Sequence, residues 1–123
     1  MSGELWIELR GLRVDARIGV TDEELEADRK LVIDVDLIPS ATGAAETDDL
    51  ADTLDYARVA ELAERTATEA PHRTLERLAA RIADAITADG GCEEVGVRVA
   101  KPEPPMEQRV DSVAVRIARS AGQ

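Results

Sequence analysis

The chain has 123 residues, with 15 Lys+Arg against 26 Asp+Glu and a formal charge of −11 when its one His is neutral. That length suits one domain over residues 1–123. The acidic excess repels polyanions and excludes a general nucleic-acid binder, and 44% apolar residues exclude a disordered acidic chain.

Leu5, Ile7 and Leu9 alternate with Trp6, Glu8 and Arg10, the period-2 pattern of a half-buried strand. After Gly11 the alternation resumes through Leu12, Val14, Ala16 and Ile18, which predicts a second strand paired with the first. Gly19 ends it, and the charged stretch TDEELEADRK (21–30) reads as a loop. Val32, Ile33, Val35 and Leu37 predict a third strand, closed by Pro39. Ser40 to Thr53 reads as a loop with a short helical turn. A helix follows Asp55-Tyr56, with Val59, Leu62, Ala63 and Thr66 on one stripe and Pro71 marking its end. A second helix carries Leu75, Leu78, Ala79, Ile82, Ala85 and Ile86 at the 3.6-residue period, between Thr74 and Gly90-Gly91. Two closing strands alternate through Val95, Val97, Val99 and through Val113, Val115, Ile117. The order β-β-β-α-α-β-β, with strands and helices in separate runs, predicts an α+β fold with helices packed on one face of a mostly antiparallel sheet.

Of the apolar residues 20 are Ala, 11 Leu, 11 Val and 7 Ile, beside one Trp, one Tyr and no Phe. Aromatic side chains supply large blocks of buried area, so this core must be built from thin layers. Burial between subunits would compensate, and pairing between subunits would cover the exposed edges of a short sheet. Both arguments predict a homo-oligomer. No apolar run is long enough to span a membrane, and the opening MSGELWIELR has acidic residues where a signal peptide is basic and then apolar. The lone Cys92 allows no internal disulfide, which suits the cytoplasm.

Phosphate loops, nucleophile elbows and zinc-binding patterns are missing from the sequence. His72, between Pro71 and Arg73, reads as an exposed, inert side chain, and Cys92 as a small packing residue. Lys101 stands out because the chain uses 13 Arg and only two Lys. It ends a strand ahead of Pro102, Pro104 and Pro105, and a lysine can exchange protons where arginine cannot. A surface charge is the other reading for it, and the one given to Lys30. Tyr56 at a helix entry suits packing with a wet hydroxyl, proton donation or stacking on a planar ligand. Glu76, in the first turn of the second helix, suits either the helix N-terminus or a two-oxygen grip on a ligand's donor pair. Glu24 is unremarkable by composition.

Together the segments Ile18-Gly19-Val20 with Glu24 five residues after the glycine, LVIDVDL (31–37), DDLADTLDY (48–56), TLERLAARIADAI (74–86), VRVAKPEPP (97–105) and DSVAVRIAR (111–119) resemble the dihydroneopterin aldolase family of folate biosynthesis. The resemblance implies a tunnelling fold of four strands and two antiparallel helices per subunit. It also implies ring assembly into tetramers or octamers, with the pocket between subunits and no metal or bound cofactor. Carried over, Glu76 would bind the 2-amino and N3 hydrogens of a pterin, with backbone groups of Leu75 and Leu54 completing the ring's hydrogen bonds. Tyr56 would lie over the pterin or near its side chain, Lys101 would carry protons, and Glu24 would position the reacting end. The implied activity is aldolase cleavage of 7,8-dihydroneopterin. The family's triphosphate 2′-epimerase and a non-catalytic pterin- or purine-binding ring are the alternatives. The chain departs from the family's common pattern in having Ile18 where histidine is frequent and Thr21 where an aromatic is frequent.

Overall fold

The computed structural model describes residues 4–121. Strands β1 (Ile7–Ala16), β2 (Arg29–Pro39), β3 (Cys92–Lys101) and β4 (Val113–Ser120) form one antiparallel sheet in the order β1-β2-β3-β4. Helices α1 (Ala44–Thr47), α2 (Tyr56–Thr68) and α3 (Leu75–Asp89) lie between β2 and β3 in the chain, and α2 and α3 pack on one face of the sheet. This is the α+β architecture that the separated runs of strand and helix predict.

The count of strands differs from the sequence expectation. The two opening strands are one, β1, which pairs with β2 along its whole length. Leu9 faces Val35 and Leu12 faces Ile33, so β1 carries one extra residue at Gly11. Gly11 adopts φ 74°, and its N–H donates to Asp34 Oδ1 at 2.7 Å. A single residue cannot reverse a chain into a hairpin, but it can form a bulge. The bulge flips the alternation, which brings Val14 and Ala16 onto the buried face already addressed by Ile7 and Leu9.

Strand β2 sends Leu31, Ile33, Val35 and Leu37 into the core, while β3 sends Val95, Val97 and Val99. Against them α2 presents Val59, Leu62, Ala63 and Ala67, and α3 presents Leu75, Leu78, Ala79, Ile82, Ala83 and Ile86. Ala63, Ala67, Ala79 and Ala83 are fully buried. These alanines let the two helices approach the sheet closely, the thin-layered core that the composition predicts. Cys92 is buried where β3 begins, opposite Pro39, and burial raises its thiol pKa.

Each long helix starts on its own cap. The Asp55 carboxylate accepts the N–H of Ala57 and Arg58 at α2, and the Thr74 hydroxyl accepts that of Arg77 at α3. Gly90, at φ 84°, ends α3.

His72 corrects a second expectation, because it is buried. Its N–H donates to the Arg17 carbonyl at 3.1 Å and its carbonyl accepts the Gly19 N–H at 3.0 Å. This short parallel bridge between Ile18 and His72 ties the α2–α3 connection to the chain leaving β1. The ring Nε2 lies 2.8 Å from Arg81 Nη1. Burial, followed by the charges of Arg81 and Arg77, pushes the imidazole below its ordinary pKa of 6.5. It is a packed backbone anchor rather than an exposed side chain.

Candidate active site

Lys101 is the last residue of β3, and strand parity places it on the same face as Val95, Val97 and Val99. The helices cover that face, so the side chain retains only 14% of its exposure while its head group reaches the sheet's end. There Nζ lies 3.6 Å from Glu24 Oε2, and the Glu24 side chain is itself only 18% exposed. This is a close ion pair but longer than a direct hydrogen bond, so both groups keep capacity for a third partner.

Glu24 is held from the opposite side. It opens a 3-10 turn, Glu24–Glu26, within the charged loop. Its Oε1 accepts the N–H groups of Val20 and Thr21 at 3.1 and 3.3 Å, and the Thr21 hydroxyl at 3.4 Å. In return the Glu24 N–H donates to Thr21 Oγ1 at 3.2 Å. This reciprocal exchange is the capping box that a T-x-x-E sequence encodes. The Thr21 amide is the main influence lowering the Glu24 carboxyl below its ordinary 4.5; partial burial opposes it, and Lys101 and the Val20 amide add to it. Glu24 is therefore a carboxylate at neutral pH, and its Oε2 faces the ammonium.

The pair opens into a cleft of about 300 Å³ also lined by Asp28, Arg29, Lys30, Pro102, Glu103 and Pro105. Lys30 is exposed, as the sequence reading holds, yet it lines this same cleft. Glu76 lies in the exposed first turn of α3, at the same end of the molecule. Arg73, two residues before that helix, ties it there: Nη1 donates to the Val20 carbonyl at 3.1 Å, and the guanidinium also pairs with Asp22. Leu75 begins α3 with its side chain buried in the core.

Tyr56 and Leu54 lie elsewhere. They flank the start of α2 and line a second cleft, about 360 Å³, with Ile7, Glu8, Leu9 and Thr53. Ile7 stands at the sheet end opposite Lys101, in register with Leu37 and Val95, whereas Lys101 is in register with Val113. The 13 residues of α2 alone span about 20 Å between the two ends. Tyr56 is 61% exposed and Leu50, on the adjoining loop, 89%. One chain thus brings Glu24 and Lys101 together, places Glu76 at their end, and keeps Tyr56 and Leu54 at the far end.

Two contributors escape the reading of residue types. Gly19 lies directly beneath Glu24, leaving no space there for a side chain. Thr21 supplies half of the capping box; its signal in the sequence is the T-x-x-E spacing itself. Among the described residues, no three His, Cys, Asp or Glu side chains come together as metal ligands.

Comparison with known proteins fits this arrangement. Residues 7–118 match the family model described as dihydroneopterin aldolase. A dihydroneopterin aldolase of Streptomyces coelicolor is 38% identical over 114 residues, covering 93% of this chain and 96% of that protein. One from Haemophilus influenzae is 32% identical over 108 residues, covering 88% and 90% respectively. The crystal structure of Escherichia coli dihydroneopterin aldolase in complex with neopterin superposes with a TM-score of 0.83 at 31% identity, over 94% of this chain and 98% of that one. By its sequence and its fold alike, the chain belongs to the dihydroneopterin aldolase family.

Proposed function

We propose that the protein is a 7,8-dihydroneopterin aldolase, a carbon–carbon lyase that releases glycolaldehyde and 6-hydroxymethyl-7,8-dihydropterin. Besides family membership, the observation that carries this reading is the half-enclosed Lys101–Glu24 pair at 3.6 Å. Retro-aldol cleavage needs a proton taken from the 2′-hydroxyl as the C1′–C2′ bond breaks. The bonding electrons pass through C1′ into the C6=N5 imine of the substrate's own ring, so no Schiff base to lysine is required. Protonation at C1′ then completes the pterin product. Lys101 relays these protons, and the Glu24 carboxylate holds its head group and the reacting end of the substrate. Two proton transfers bracket the carbon–carbon cleavage: one proton leaves the 2′-hydroxyl and one is delivered to C1′.

Glu76 supplies the specificity for the ring. A carboxylate presents two acceptors to the neighbouring 2-amino and N3 hydrogens, and its place in the first turn of α3 leaves it exposed to a ligand. Backbone groups of Leu75 and Leu54 complete the recognition, with Tyr56 against the pterin. A bicyclic ring with a three-carbon tail is far shorter than the separation of Tyr56 from Lys101 within one chain. The site is therefore completed by a second copy, in which the start of α2 from one subunit faces the Glu24–Lys101 end of the next. A ring of such contacts, as a tetramer or stacked octamer, also covers the free edges of β1 and β4.

We read residues 1–123 as one domain working in the cytoplasm on a small pterin, without nucleic acid or membrane. Among the described residues no helix is long and apolar enough to cross a membrane. The test is to incubate purified protein with 7,8-dihydroneopterin and separate the products by chromatography. Joint appearance of 6-hydroxymethyl-7,8-dihydropterin and glycolaldehyde is the expected result. Formation of the 2′-epimer alone, or no conversion, would overturn the aldolase assignment.

A further inference from the structure

We infer that Thr21 is a positioning residue for the reaction: its hydroxyl fixes one oxygen of Glu24 so that the other faces Lys101. The inference rests on the aldolase reading for its kinetic consequence but not for its structural content. Glu24 divides its two oxygens between separate tasks. Oε1 is taken up by the Val20 and Thr21 amides and the Thr21 hydroxyl, whereas Oε2 addresses Lys101 Nζ. The amides approach from the backbone and are common to any residue at these positions. The hydroxyl belongs to Thr21 alone. It also accepts the Glu24 N–H, so one side chain restrains both the backbone and the carboxylate of Glu24.

A carboxylate on a mobile loop rotates about its last two torsions and presents either oxygen. Here the loop is anchored at two further points: Gly19 to the His72 carbonyl, and Val20 to Arg73. With the backbone fixed, the Thr21 hydroxyl is the remaining removable control over which oxygen Lys101 meets. Thr21 itself is exposed, contacts no core residue among these bonds and acts only through Glu24. Its loss therefore falls on turnover more than on folding or on the ring-binding carboxylate of Glu76.

The test compares the assembled wild-type protein with Thr21→Val, which replaces the hydroxyl by a methyl, and with Thr21→Ser, which keeps it. Thr21→Ala is a further hydroxyl-free variant, so a folding defect peculiar to valine does not leave the question open. Carbon-13 NMR follows the Glu24 side-chain carboxyl through a pH titration, with its resonance assigned by its loss in Glu24→Gln. Removing the hydroxyl is expected to move this titration to higher pH, with Ser restoring it. With 7,8-dihydroneopterin, kcat is expected to fall about threefold in the hydroxyl-free variants, less than a short charge-assisted bond would cost because this one is 3.4 Å long, while KM stays within about twofold. An unchanged Glu24 titration in both hydroxyl-free variants would overturn the inference, as would a serine variant as impaired as they are. If the wild type fails to turn over the substrate while the titration shifts as stated, the aldolase reading fails and the positioning role stands.

Discussion

Gly19 and Glu24 are in direct contact: a Cβ built on Gly19 would overlap Glu24 Cβ and crowd its carboxyl group. Gly19 is followed by the two amides that bind Glu24, so its missing side chain lets the loop fold back over it. Gly19→Ala must push Glu24 away from Lys101 or open the loop. We expect kcat for dihydroneopterin cleavage to fall at least tenfold, because displacing a reacting group by about 1 Å costs even more. The unfolding midpoint should drop by only a few degrees, as for modest overpacking near a surface. Steady-state kinetics and thermal melts on the same preparation check both statements.

Lys101 and Glu76 should separate turnover from binding. Lys101→Ala removes the proposed proton carrier yet leaves Glu24 anchored on Val20 and Thr21, so the pocket keeps its shape. A loss in kcat of about 10²–10⁴ is expected, with little change in the affinity for 6-hydroxymethyl-7,8-dihydropterin. Glu76→Ala leaves two donor hydrogens of the ring without acceptors, and should weaken that affinity by at least about tenfold. Fluorescence titration of each variant with the product, beside its kinetics, distinguishes the roles. Equal loss of affinity in both variants would count against this division.

Stability should fall in two stages on acidification, each from a named group. The folded-state pKa of His72 lies below the ordinary 6.5, so the unfolded chain takes up a proton first as pH drops. Stability is thus full above about pH 6.5 and declines below it, until the folded protein also binds the proton. Glu24, depressed below 4.5, adds stability that is present above that value and is lost as pH falls through its folded pKa. Urea unfolding between pH 8 and pH 5 should show the first decline in wild type and a flatter profile in His72→Gln. A variant as steep as wild type would remove His72 as the source.

Much of this was legible from the order of residues, and the failures have identifiable causes. The parity of β1 already carried the bulge: its inward residues are odd through Leu9 and even from Leu12 onward. Alternation alone marks such a flip as a break; only the partner strand, through Asp34, shows that the chain continues straight. Lys101 continued the inward parity of Val95, Val97 and Val99, so its place on the helix-covered face was readable before its partner was. His72 was misread because a polar connection between helices is usually wet, and nothing local signals the backbone bridge to Arg17 and Gly19. By composition Glu24 is one more acid in an acidic loop, and only the family resemblance, through its spacing from Gly19, singles it out. Its distinction comes from a neighbour five residues back that lacks a side chain and from a lysine far along the chain.

Separation of Tyr56 from Lys101 by the length of α2 yields a test of the proposed site between subunits. Lys101→Ala chains retain a sound Tyr56, and Tyr56→Ala chains retain a sound Lys101. On the proposed assembly, each variant alone has every site damaged. When the two variants are unfolded together, mixed equally and reassembled, a site formed between subunits can receive Lys101 from one chain and Tyr56 from the other. Random assembly makes about one quarter of the interfaces sound on both sides, so about a quarter of wild-type activity should return. The recovered activity should appear only in the co-assembled sample and not when the finished oligomers are simply combined. If co-assembly yields no more than the mean of the two variants, both residues serve the same chain's site, and the second copy contributes stability rather than chemistry.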